Sequence, residues 1–112
     1  MYAVTGILTR PDTQSSGQFR DYWLNGHAQV ARQLPGLRRY YILPFDIQKS
    51  MGDGTWLATP PVADGVATLW FDDRAAALAA FASSAGSRDS QEFRASGVTA
   101  LTFGGTAAIL LE

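Results

Sequence analysis

The 112 residues contain no cysteine and a single histidine, His27. Without thiols there is no disulfide framework and no thiolate nucleophile, and one imidazole among scattered carboxylates is too few ligands for a metal centre. Charge is sparse too. Nine Lys and Arg stand against ten Asp and Glu, for a formal net charge of −1, and the basic residues are dispersed except for Arg38-Arg39. No basic stripe exists to hold a phosphate backbone, so nucleic acid is not an expected partner. No apolar run approaches the roughly 18 residues of a membrane span, and MYAVTGILTR lacks the basic-then-apolar pattern of an export signal. The expectation is a cytoplasmic protein with no membrane partner and no metal.

Hydrophobic residues make up 46% of the composition and charged residues 17%. That is enough apolar surface to offset the entropy of ordering the chain, and the length suits one domain over residues 1–112. Tyr2 to Thr9 is β-branched and aromatic and closes at Arg10-Pro11, a first strand. Ser15 with Gln18 three residues on has capping-box spacing, which starts a helix near Ser16. Phe19, Trp23, Gly26, Val30 and Leu34 then recur at intervals of three and four, one stripe facing a core, with Tyr22 and His27 on its two margins. Pro35-Gly36 ends this helix and Leu37 to Phe45 forms a second strand.

Asp46 to Asp64, punctuated by Gly52, Gly54 and Pro60-Pro61, reads as a long loop with a short extended piece at Thr55 to Ala58. Gly65 to Asp72 is a third strand, with Ala67, Leu69 and Phe71 on one face and Val66, Thr68 and Trp70 on the other. Asp73 caps a second helix from Arg74 to about Ser84, whose buried side is Ala77, Leu78, Phe81 and Ala82. Ser87 to Ala95 adds a short helical turn. Gly104-Gly105 reads as a break, leaving Thr106 to Leu111 as the fourth strand. The order β-α-β-β-α-β predicts an α+β, ferredoxin-like fold: a four-stranded antiparallel sheet with both helices on one face. Strands apolar on both sides leave the other face uncovered, and a second copy of the same sheet covers it most simply, so a homodimer is expected.

His27 is the one side chain that titrates near neutrality when unperturbed, which suits it to take and return a proton; the alternative is a structural imidazole donating to a backbone carbonyl. Tyr40 and Tyr41 alternate along the second strand, so one of them faces the first helix and can hydrogen-bond a substrate oxygen, or simply pack. Phe19, Tyr22, Trp23 and Trp70 make either an aromatic wall for a planar ligand or plain core. Arg38 is a candidate for a substrate carboxylate, against a solvated surface pair with Arg39. Asp72 and Asp73 suit a helix start and carry no assigned chemistry.

VTGILTRPD, the run Phe19-Arg20-Asp21-Tyr22-Trp23 with His27 four residues after the tryptophan, LPGLRRYY, and Asp64 to Asp73 together resemble the EthD family of the dimeric α+β barrel superfamily. The resemblance runs from Met1 to about Phe81. It implies two ferredoxin-like monomers joined through their sheets, with a pocket between sheet and helices, and it places His27 where the family's recurrent histidine stands. Relatives include cofactor-free monooxygenases, muconolactone isomerases, dehydratase-like proteins and haem-binding branches. Gln29 departs from a common proline, and the second histidine and the cysteine of the methylisomerase relatives are absent. Two functions follow from the resemblance. One is a cofactor-free enzyme of a degradative or secondary-metabolite pathway, acting on a cyclic carbonyl or phenolic compound by His27-assisted proton transfer. The other is a non-catalytic protein that binds an apolar or aromatic small molecule. Haem held by His27 is a third.

Overall fold

Alternation of side chains along YAVTGILT builds the central strand, β1 (Tyr2–Thr9), which sends Val4, Gly6 and Leu8 to one face and Ala3, Thr5 and Ile7 to the other. In the computed structural model, which describes residues 1–112, β1 lies between β5 (Gly65–Phe71) and β6 (Thr99–Thr106). The edge strand β2 (Arg39–Pro44) pairs with β5, giving the order β2-β5-β1-β6 with every pairing antiparallel. This is the ferredoxin-like α+β arrangement that the sequence predicts.

The first helical segment is α1 (Ser16–Tyr22), and its capping box forms as expected: Gln18 N donates to Ser15 Oγ at 3.1 Å and Ser15 N donates to Gln18 Oε1 at 2.9 Å. The helix does not continue regularly. Trp23–His27 makes a π turn before α2 (Ala28–Ala31) resumes. A π turn adds one residue to the helix without advancing its apolar face. The buried stripe is therefore Phe19, Trp23, His27, Ala31 and Leu34, whereas the even periodicity had placed Gly26 and Val30 in it. Gly26 is exposed and Val30 half-buried, and His27 moves from the margin of the stripe to its centre.

Asp73 caps α3 (Arg74–Ala82) by accepting from Ala76 N at 2.8 Å. Its inner side is Ala77, Ala80 and Phe81, while Leu78 and Ala82 face out. A second helix follows at once, α4 (Ser84–Ser96), capped by Ser83 and ended by Gly97 at φ 80°. It replaces the short turn expected there, because a polar helix with few apolar positions has little periodicity to read. The long loop carries a small hairpin, β3 (Gln48–Lys49) and β4 (Trp56–Leu57), which includes the expected extended piece. The last strand is β6 rather than Thr106 to Leu111. Gly104 does not break it; a Cβ there would lie 2.7 Å from the Tyr2 hydroxyl, so glycine lets the Tyr2 ring lie across the sheet.

The helices cover one face, and the core there joins Val4, Leu8, Leu69 and Phe71 to Phe19, Trp23, Leu34 and Ala77. Trp23 is fully buried with its ring over Gly65, where a Cβ would sit 2.4 Å from Cζ3 and 2.7 Å from the Leu43 carbonyl oxygen. The other face is open: Ile7, Tyr41, Leu43, Leu101 and Phe103 are exposed there, the last two at 60%. No helix is long and apolar enough to cross a membrane.

Candidate functional site

A cavity of about 400 Å³ lies between the helix-covered face of the sheet and α2, α3 and α4. Its size is that of a small-molecule site. The floor is a row of small residues across three strands, since Gly6 of β1 faces Ala67 of β5 on one side and Thr102 of β6 on the other. Trp23, Tyr40, Phe81 and Phe93 supply rings around it. The π turn and α4 add the polar groups His27, Asp89, Ser90 and Arg94, beside the hydroxyls of Tyr40 and Thr102 from the sheet.

His27 is 2% exposed, and the π turn is what aims it inward. Its Nε2 lies 2.9 Å from Asp89 Oδ1 and its Nδ1 3.2 Å from Glu92 Oε1. The ring also stacks on Phe93, with centroids 3.5 Å apart and planes 17° from parallel. Asp89, Glu92 and Phe93 occupy positions i, i+3 and i+4 of α4, one helical face, so a single turn of helix encloses the imidazole. A ring bearing both N–H protons donates to both carboxylates, and a neutral ring to one of them. Glu92 Oε1 also accepts from the Tyr22 hydroxyl at 3.0 Å. The result is a chain of polar groups, Asp89, His27, Glu92 and Tyr22, whose side chains run from the cavity wall at Asp89 (14% exposed) to the surface at Glu92 (29% exposed).

Tyr40 is the strand tyrosine that faces the cavity. Burial, with the charge of Asp89 adding to it, pushes its phenol up to about 12, so at neutral pH it is a neutral hydrogen-bond donor. Burial raises the Tyr22 phenol as well, and its bond to Glu92 adds to the effect.

The structure brings together three of the residues singled out in the sequence, His27, Tyr40 and Trp23, all lining the cavity. Phe19 stands behind Trp23 in the core, ring centroids 5.4 Å apart. Tyr22 is beside His27 but reaches it through Glu92. The others lie elsewhere, for geometric reasons. Strand alternation sends Tyr41 to the open face, 44% exposed, and Trp70 to that same face, opposite Ala3 and Arg39. Arg38 forks onto Asp72 outside the cavity, with Nε and Nη2 at 3.1 and 2.9 Å from its two carboxylate oxygens, which lowers the Asp72 carboxyl. Trp70 is thus no part of the aromatic wall, and Tyr41 and Arg38 are removed from the cavity. Asp89, Glu92, Phe93 and Arg94 were missed, although the spacing of Asp89, Glu92 and Phe93 is a helical face once α4 is recognised.

The EthD domain model matches residues 11–96. Among solved structures, an EthD family protein from Bacillus halodurans superposes with a TM-score of 0.74 at 18% identity, over 96% of this chain and 99% of its own. An EthD-like protein from Ralstonia eutropha JMP134 gives 0.66 at 9% identity, covering 98% and 95%. SnoaB, a cofactor-independent oxygenase from Streptomyces nogalater, gives 0.60 at 15% identity, covering 98% and 95%. No curated protein matches the sequence.

Proposed function

Because this chain belongs to the EthD family, we propose that it is a small homodimeric protein of degradative or secondary metabolism. In this reading its cavity moves a proton on a cyclic carbonyl or phenolic compound without a bound cofactor. One observation carries the proposal: a buried imidazole held between two carboxylates, one of which, Asp89, lines a cavity of small-molecule size.

The chemistry follows from the order of the groups. His27 has both nitrogens engaged, so the group that meets a substrate C–H or O–H is the Asp89 carboxylate, and the imidazole behind it shares the proton. Tyr40, neutral at physiological pH, donates to the substrate oxygen as negative charge develops there. The proton returns to another substrate atom in an isomerisation, or leaves through Glu92 to solvent. The deprotonated substrate is the species common to isomerisation, dehydration and cofactor-independent oxygenation, the last being the activity that names the SnoaB structure. The exposed apolar face of the sheet supports pairing with a second copy.

The test is proton exchange in heavy water with a panel of one- and two-ring ketones, lactones and phenols. Wild-type protein is expected to exchange or rearrange a member of the panel. His27→Ala and Asp89→Asn lose that rate by about 10²- to 10⁴-fold, with folding checked by circular dichroism. Undiminished exchange in both variants refutes the proposal. The second reading, a non-catalytic binding protein, draws on the same engagement of both ring nitrogens, which also suits a structural histidine. It expects no turnover of any compound and ligand affinity unchanged in His27→Ala.

A further inference from the structure

Arg94 lines the cavity and is an exposed residue, yet it belongs to none of the chain's four ion pairs: Arg10–Asp64, Arg38–Asp72 and the two on His27. A guanidinium at the edge of a hollow lined mainly by apolar side chains is a recognition group for a planar anion, because its donors match the two oxygens of a carboxylate. On the same helix Ser90 lies one turn before Arg94 and also lines the cavity. Asp89 and Arg94 are five residues apart, a rise of about 7.5 Å along α4. The polar pole at Asp89 and His27 and the cationic pole at Arg94 thus line the same cavity at different heights along α4.

The floor points to a flat body. Ala67, Gly6 and Thr102 form one row across the sheet, and a Cβ built on Gly6 would meet nothing closer than Leu8 Cδ1 at 3.6 Å and Thr102 Oγ1 at 3.7 Å. No helix atom comes within 4 Å of that Cβ, and all three residues line the cavity.

Resting on the reading of this cavity as the functional site, we infer that its ligand is a planar aromatic carboxylate, its rings over the Ala67–Gly6–Thr102 row and its carboxylate on Arg94. The test is equilibrium binding by titration calorimetry, with 2-naphthoate and its neutral counterpart 2-naphthamide as probes. Wild-type protein is expected to bind the acid about tenfold more tightly than the amide. Arg94→Gln brings the two affinities together, and Arg94→Lys restores part of the preference. Gly6→Leu, or the smaller Gly6→Val, abolishes binding of both. Equal affinities in wild-type protein, a preference that survives in Arg94→Gln, binding that survives both Gly6 variants, or no saturable binding at all overturns the inference. Failure of proton transfer leaves a charge preference in binding untouched, and loss of that preference leaves proton transfer untouched, so the two proposals fail separately.

Discussion

Replacing Gly6 with valine should make the protein more stable and less able to bind. Gly6 has an ordinary backbone conformation, since the residues with positive φ are Gly36, Gly54 and Gly97, so a side chain causes no strain there. Its nearest prospective neighbours, at 3.6 and 3.7 Å, are at van der Waals distance, and the cavity above it holds about 400 Å³. Burying a valine side chain contributes about 1.5 to 3 kcal/mol, and exchanging glycine for a β-branched residue in a strand interior adds up to about 1 kcal/mol. Because part of the new surface faces the hollow rather than packed atoms, the gain falls short of the full sum, at about 1 to 3 kcal/mol. With an unfolding entropy of about 2.1 cal/mol/K per residue, 112 residues convert this to a rise of about 4 to 13 °C in Tm. Differential scanning calorimetry measures it directly. A loss of more than about 1 kcal/mol would show that the space over Gly6 is already filled, and both the cavity and the ligand placed in it would fall with it. The expected outcome is a stability held below its optimum to keep a site open.

Gly65→Ala should destabilise by about 2 to 3 kcal/mol, because its Cβ would sit against the Trp23 ring and the Leu43 carbonyl. Combining it with Trp23→Phe should cost less than the sum of the two single changes in urea denaturation, and strict additivity would refute the contact. Tyr40 makes stability depend on alkaline pH. Its folded value of about 12 lies above the ordinary value of about 10, so its contribution is complete below the lower value and is lost as pH rises through the upper. A tyrosine titration followed by ultraviolet absorbance should lose its highest component in Tyr40→Phe. On the open face, Leu101→Asp and Phe103→Asp should leave the circular dichroism spectrum intact and shift sedimentation from dimer to monomer; a wild-type monomer would end that reading.

Local signals in the sequence carried the first three sheet strands, the Ser15 capping box and the Asp73 cap, because each depends on residues close together along the chain. The phase of the first helix did not show. Both an α-helical and a π-containing register place apolar residues inward from Phe19 to Leu34, and packing against Gly65 and α4 decides between them. The partners of His27 were hidden for a related reason. Asp89 and Glu92 sit in a segment rich in serine and charge, which reads as solvated surface until α4 is folded against the π turn. Strand alternation already separated Trp70 from Leu69 and Phe71, so its place away from the cavity was legible, whereas the ion pair that occupies Arg38 requires the fold.

The extra residue in the π turn makes this helix unusually tolerant of a lost codon. Leu24, Asn25 and Gly26 are all exposed there. Removing any one of them closes the ladder into an uninterrupted α-helix in which Phe19, Trp23, the histidine, Ala31 and Leu34 fall at alternating steps of four and three, the spacing of a continuous buried stripe. A deletion among Arg20, Asp21 and Tyr22 with the π turn left in place throws Phe19 out of step with everything after it. Single-residue losses in natural variants of this helix should therefore gather between Trp23 and His27.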